Sequence, residues 1–370
     1  MSRPIALDVA VPSEDLSYTV RVGAGLLDGI GGLLTRELPR ARRVRVISDD
    51  NVWPLHGETL EASLVSAGLD VSVQTISPGE RSKTPAQLLE LVSGALAAGL
   101  SRHDVVVALG GGVVGDIAGL TAALFMRGIP VVQCPTSLLA QVDASVGGKV
   151  AVDLPEGKNL LGAFHFPRAV VIDPTVLQTL PDDELGCGLA EMLKHGALFS
   201  TEHWQELLDH SEAIYDRDPD VLGRLVATSV ALKAACVSRD PLEMAGAGKG
   251  RVLLNLGHTV GHAIEQASKF ELKHGQCVGL GLIATARISA RRGLAGAELE
   301  DIVVHALRRL RLPIDLERWL RPPVVTDVDA ALRHDKKREK STVTYIGLRE
   351  LGEPVVESLR VDEILGLLRG

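Results

Sequence analysis

Apolar residues in the first half of the chain recur with two periods. The runs RRVRVIS (42–48), DVSVQTI (70–76), DVVVALG (104–110), IPVVQCP (129–135) and RAVVID (168–173) are short and rich in β-branched residues, which predicts strands. Between them, TPAQLLELVSGALAAGL (84–100) carries its apolar residues at helical spacing. Such alternation predicts a mainly parallel, Rossmann-like sheet covered on both faces. After TLPDDE (179–184) the strand signals fade. LGCGLAEMLKHGALF (185–199), PDVLGRLVATSVALKAACV (219–237) and HGQCVGLGLIATARISARR (274–292) all follow the helical period. The expected organisation is an α/β domain over 1–180 and an all-helical domain over 181–370. No repeat or low-complexity linker separates them, so the join should be tight and the cleft between them the natural ligand site.

Composition narrows the class. Of 370 residues, 46% are hydrophobic and 23% charged, as in globular proteins, and the length suffices for two domains. A net charge of −8 argues against nucleic-acid binding, with DKKREK (335–340) the one short basic run. The four cysteines (134, 187, 236, 277) are far apart and form no CxxC pair, which fits reduced thiols and a cytoplasmic setting. The N-terminal residues lack a basic start followed by an apolar core, and no stretch is read as long enough to span a membrane.

Candidate chemistry begins at GGGVVGD (110–116), a glycine turn between a strand and a helix. It matches GxGxxG through Gly110, Gly112 and Gly115, where backbone can approach a pyrophosphate at a helix N-terminus. The motif alone is weak, and no acidic residue follows at the spacing that holds a ribose. Asp49 and Asn51 after one strand, and Glu80 and Lys83 in PGERSK (78–83) after another, converge on the same sheet edge. Downstream, Arg127, Lys149 and Lys158 lie among glycines and small residues, as a substrate carrying phosphate and carboxylate would require. Asp143 stands where it could orient Lys149 or bind a hydroxyl. Surface lysines with a bridging aspartate are the plainer alternative.

In NLGHTVGHAIE (255–265), His258 and His262 share one helix face. His274 lies just ahead of the next helical run, and Glu191 and Lys194 sit three apart in GLAEMLKHG (188–196). Glu191, His258 and His274 would make the two-histidine, one-carboxylate set of a catalytic zinc site, leaving His262 for proton transfer. Thr259 stands where HExxH has its general base, so that signature is absent. Spacing alone does not separate a metal site from two satisfied helix histidines.

Together these motifs resemble the 3-dehydroquinate synthase family of sugar-phosphate cyclases. The resemblance runs from SDDNV (48–52) to HDKK (334–337). It is most specific in GGGVVGDIAG, RGIPVVQCPTSLLAQVDASVGGK, EGKNLLGAF, GLAEMLKHG, LNLGHTVGHAIE and KHG. It implies a dehydroquinate synthase-like fold, NAD+ in the α/β domain, and a divalent metal at the helical one, zinc first and cobalt second. The implied metal ligands are Glu191, His258 and His274. Implied NAD+ contacts are Asp49, Asn51, Glu80, Lys83, Gly111, Gly112, Val113, Asp116, Thr136, Ser137, Lys158 and Thr179. Substrate contacts would come from Arg127, Asp143, Lys149, Asn159, Lys194, Lys233, Arg251 and Asn255, with Lys336 or Lys337 on phosphate. His262 and Glu243 match proton-transfer positions, and Lys149, Lys194 and Asp143 join them in the reacting site.

The implied reaction converts 3-deoxy-D-arabino-heptulosonate 7-phosphate to 3-dehydroquinate and phosphate. No net oxidation occurs, so the dinucleotide acts catalytically and stays bound. A homodimer is implied as well. This chain departs from the family at MAGAGKG (244–250), which lengthens the connection from Glu243 to Arg251 and reads as a surface bulge. It departs again at Ser137, where a hydroxyl is kept in place of the usual second threonine. Competing readings are a sister cyclase (2-deoxy-scyllo-inosose, aminodehydroquinate or valiolone synthase), a metal-dependent alcohol dehydrogenase, and a silent binding protein.

Overall fold

The computed structural model describes residues 16–245, 250–269, 271–334 and 342–369. Eight strands lie in the first half: β1 (Thr19–Val22), β2 (Arg43–Asp49), β3 (Asp70–Ile76), β4 (Val105–Gly110), β5 (Val131–Pro135), β6 (Lys149–Leu154), β7 (Gly157–Phe164) and β8 (Ala169–Ile172). Six of them form one sheet in the order β1-β8-β5-β4-β2-β3, every neighbouring pair parallel. Helices α1 (Ile30–Glu37), α2 (Trp53–Ser66), α3 (Pro85–Ala97) and α4 (Gly112–Leu124) provide the crossovers. The central strands are buried throughout, Val105–Gly110 without exception, which is why they read as continuous apolar runs. Two apolar layers flank the sheet, one under α1 and α2 and the other under α3 and α4.

Turn and cap chemistry sets the helix starts. Thr84 accepts from the Gln87 amide with Pro85 in the first turn of α3, where a missing N–H costs nothing. Gly119 of α4 serves packing instead. A Cβ there would fall 2.4 Å from Val150 Cγ1, so only glycine lets β6 pack on that helix. The β6–β7 hairpin is antiparallel and separate from the main sheet. It falls in a stretch read from sequence only as cations among glycines, because GKNLLGAF is exposed along nearly its whole length and shows no alternation.

The second half comprises α5 (Asp182–Phe199), α6 (Thr201–Asp209), α7 (Ser211–Tyr215), α8 (Pro219–Arg239), α9 (His258–Ala267), α10 (His274–Arg291), α11 (Glu298–Arg309), α12 (Glu317–Leu320), α13 (Val325–His334) and α14 (Val361–Arg369). An antiparallel hairpin, β9 (Thr342–Leu348) with β10 (Pro354–Arg360), packs among them on α10. Its core extends without a break into Leu138, Val142, Val170 and Ile172 of the first half. One helix, α8, is long and apolar enough by length and composition to cross a membrane, contrary to the sequence reading. The helix is capped by Asp218 and packs inward through Leu222, Leu225, Val226 and Lys233. Its apolar face therefore belongs to the protein core.

Candidate active site

Three helices converge where the sequence placed its histidines. Glycines decide how closely they approach. A Cβ on Gly281 of α10 would fall 1.9 Å from the Gly257 carbonyl oxygen at the start of α9, and one on Gly275 would fall 2.3 Å from Cys187 Cα of α5. With both positions bare, the first turn of α10 lies against α5 and α9. Glu191 Oε1 then stands 3.6 Å from His258 Nε2 and 3.4 Å from His274 Nε2. The His262 ring joins them, 5.1 Å from His258 and 5.6 Å from His274 between centroids.

Each imidazole is aimed by what its other nitrogen does. His258 Nδ1 lies 3.0 Å from the Leu256 carbonyl, so Nε2 faces inward. Burial and the Lys194 charge push this imidazole down to about 3, into the neutral form a metal requires. His274 Nδ1 is 3.1 Å from Glu265 Oε2, and Glu265 Oε1 accepts from Lys158 Nζ at 2.8 Å. Burial lowers His274, but the Glu191 and Glu265 carboxylates beside it, 3.4 Å and 3.1 Å away, prevail and raise it to about 9. Glu265 is given no role by the sequence, although its place one turn beyond His262 puts it on the same helix. Glu265→Gln is expected to weaken metal affinity roughly ten- to a hundredfold, the usual effect of losing an outer carboxylate on a ligating histidine. Titration with a competing chelator would measure it.

Two donor sets could hold a divalent cation here. Ligand atoms of His258, His262 and His274 lie within 4.8 Å of one another, and so do those of Asp143, Glu191 and His195. The latter space already holds cations. Lys194 Nζ pairs with Glu191 and stands 4.0 Å from Asp143 Oδ1, while Lys233 Nζ donates to the same oxygen at 2.7 Å. Around the histidines, by contrast, Glu191 Oε1 is buried with no hydrogen bond, an orphaned acceptor facing two imidazole nitrogens. One carboxylate oxygen with two such nitrogens is a donor set that fits zinc.

Asp143 therefore works with Lys233 and Lys194, and Lys149 pairs instead with Glu243. Sequence proximity had suggested that Asp143 orients Lys149. The π turn Ala140–Ala144 and the start of β6 turn the two residues to different partners. Burial would raise the Asp143 carboxyl, but the two lysines hold it well below the usual range. Lys194 is 1% exposed and Lys233 5%, so both charges act in a poorly screened medium.

The nucleotide candidates lie along the carboxyl edge of the parallel sheet. Winding reverses between β2 and β4, and at such a switch point the strand ends open into a crevice. Asp49 ends β2 and accepts from the Asn51 and Val52 amides, both at 2.9 Å. Gly111, Gly112 and Val113 lead from β4 into α4, Thr136 and Ser137 follow β5, and Thr179 ends the turn after β8, 3.1 Å from His56 Nε2. Lys83 is almost fully buried, with Nζ 2.7 Å from Asp116 Oδ2 and 3.8 Å from Glu80, and it donates to Asn159 Oδ1. Burial pushes the Asp116 carboxyl up to about 6 against the pull of Lys83. Lys158, 3.9 Å from Glu80, links this group to Glu265 and so to His274.

The other predicted residues differ in burial and in partners. Arg251 is buried, donating through Nη1 to the Gly147 carbonyl at 2.7 Å and the Pro241 carbonyl at 2.9 Å. Arg127 and Asn255 are exposed, and their side chains make no hydrogen bond or ion pair among the described residues. His262 is exposed on α9. Lys336, Lys337 and most of the inserted connection (246–249) lie outside the described residues.

The 3-dehydroquinate synthase N-terminal description matches residues 73–187 and the C-terminal one residues 188–338. The chain belongs to the 3-dehydroquinate synthase family. It is 45% identical over 341 residues to the 3-dehydroquinate synthase of Symbiobacterium thermophilum, covering 92% of this chain and 93% of that one. Among solved structures, it is similar to 2-epi-5-epi-valiolone synthase from Streptomyces hygroscopicus with NAD+ and Zn2+ bound (TM-score 0.86, 29% identity, 98% of each chain). It is also similar to 2-deoxy-scyllo-inosose synthase complexed with carbaglucose-6-phosphate, NAD+ and Co2+ (TM-score 0.83, 25% identity, 95% of this chain and 96% of that one). The family's sister cyclases thus share the architecture, and sequence favours the dehydroquinate type.

Proposed function

We propose that this protein converts 3-deoxy-D-arabino-heptulosonate 7-phosphate to 3-dehydroquinate and phosphate, using NAD+ catalytically and a divalent metal, zinc ahead of cobalt. The observation that carries this reading is the buried Glu191 oxygen, without a hydrogen bond, facing His258 and His274 beside a lysine-lined anion pocket. A simple dehydrogenase would not need Lys194 and Lys233 there. Glu191, His258 and His274 are the ligands in this reading, with His262, more exposed, left to move protons at the rim.

When bound, the metal supplies a Lewis acid for the substrate hydroxyl and the dinucleotide a reversible hydride acceptor. The chain's own residues do the rest. Lys194 and Lys233 bind anionic substrate groups in a buried site, where charge-assisted hydrogen bonds are strong. Asp143 orients both lysines and accepts from a substrate hydroxyl. Lys149 and Glu243, ion-paired at the mouth, hold the phosphate end and a transferable proton. Lys158 ties the dinucleotide edge to the metal through Glu265 and His274, so that occupancy of one site is felt by the other. Asp49, Asn51, Glu80, Lys83, Asp116, Thr136, Ser137 and Thr179 line the crevice proposed for NAD+. The α/β half (1–180) would thus carry the dinucleotide, and the helical half (181–370) the metal and most of the substrate contacts.

Purified protein given NAD+ and Zn2+ should release phosphate from the heptulosonate phosphate without accumulating NADH. Growing absorbance from reduced cofactor would point to a dehydrogenase, and turnover of a different sugar phosphate to a sister cyclase. The resemblance supports a homodimer, which light scattering would test. Four buried free cysteines support a cytoplasmic, reducing setting.

A further inference from the structure

Behind the anion pocket lies a pair of side chains that the proposed chemistry does not use. His195 of α5 and Ser229 of α8 are fully buried, and His195 Nδ1 lies 2.7 Å from Ser229 Oγ. His195 Nε2 is buried without a hydrogen-bond partner among the described residues, and Asp143 Oδ1 stands 3.6 Å away. That oxygen is engaged by Lys233 at 2.7 Å, with Lys194 at 4.0 Å.

The inventory of donors fixes the protons. An ionised carboxylate can only accept, a neutral imidazole carries one N–H, and a serine hydroxyl can donate or accept. A proton on Nδ1 would turn the Nε2 lone pair toward the Asp143 carboxylate, which is repulsive. A hydroxyl proton donated from Ser229 to Nδ1 places the N–H on Nε2, facing Asp143. A buried N–H without an acceptor is costly, and this one stands just beyond reach of a carboxylate. Its survival is accounted for if Asp143 comes within its reach during turnover.

We propose that Ser229 and His195 form a positioning relay that holds Asp143 when its lysines turn to substrate. As Lys233 and Lys194 take up the substrate's anionic groups, Asp143 loses donors. The His195 Nε2–H then replaces them and keeps the carboxylate ionised and aimed. No bond is made or broken in the relay, and His195 need not touch substrate. The inference rests on the sugar-phosphate reading for its purpose, though its geometry does not.

The test uses zinc-loaded protein labelled with 15N-histidine. The native spectrum should contain a neutral imidazole with its proton on Nε2, assigned to His195 by its loss in His195→Gln or, should that variant not fold, by its shift in Ser229→Thr. Ser229→Ala should mix the two tautomers and lower kcat by roughly ten- to a hundredfold, the size expected of an outer positioning partner, with KM and zinc content little changed. Ser229→Thr should restore both readouts. A native tautomer protonated on Nδ1 overturns the relay, as does a Ser229→Ala enzyme with unaltered kcat. If the native protein turns over no sugar phosphate, the substrate reading has failed, and the tautomer alone still decides whether the relay is built as described.

Discussion

Replacing His258 with alanine should empty the metal site and lower phosphate release on the order of a thousandfold or more, because a Lewis acid supplies several kcal/mol and each 1.36 kcal/mol is tenfold in rate. The expectation follows from the way the ring is held. Its Nδ1 is committed to the Leu256 carbonyl, so Nε2 has one direction to point, toward Glu191 Oε1. Metal analysis and the phosphate assay on the same sample check it. A variant that keeps one equivalent of metal and its turnover would remove His258 from the ligand set and leave His262 as the replacement candidate. Binding of NAD+, read by fluorescence, should weaken only modestly, through the Lys158–Glu265–His274 link, since the other crevice residues lie at the sheet edge and not on α9.

Lys194→Met should destabilise metal-free protein by about 3–5 kcal/mol, the cost of leaving a buried charge without its partner. Lys194 is enclosed with Glu191 and Asp143 on either side. Asp143 retains Lys233 when Lys194 is removed, whereas Glu191 loses its lysine and keeps only the titratable His274 imidazole in place of a permanent cation. A bound metal would supply one. The deficit should therefore shrink when zinc is added, and urea denaturation with and without chelator would measure the difference. An equal loss in both conditions would mean that Glu191 does not hold the metal. Turnover should fall in either case, because an anion-binding group has gone.

Much of this could be read from residue order. The strands 42–48, 70–76 and 104–110 and the helix 84–100 announced themselves because β-branched runs and the 3.6 period report which face of an element is buried. The glycine turn after β4 and the four-residue step from His258 to His262 are local features of the same kind. The hairpins β6–β7 and β9–β10 are absent from that reading: β7 is exposed along nearly its whole length and shows no alternation, whereas β9 is a short, mostly buried β-branched run whose signal was there. The expectation that no stretch is long enough to span a membrane fails at α8, whose apolar residues are spent on packing. Glu265, three residues beyond His262, carries no role in the sequence reading, although its burial and its bond to His274 make it part of the site.

The order of residues by itself determined the family, the strand–helix succession and the kinds of side chain available for a metal, a dinucleotide and an anion. Only the tertiary structure decided which of them meet. Asp143 was drawn to Lys233 and away from Lys149, Glu243 to Lys149, and His195 to a place behind Asp143. The reason is physical. Local patterns record what each segment buries, whereas through-space pairing depends on how closely distant elements approach, as where bare backbone at Gly275 and Gly281 brings His274 and His258 to Glu191.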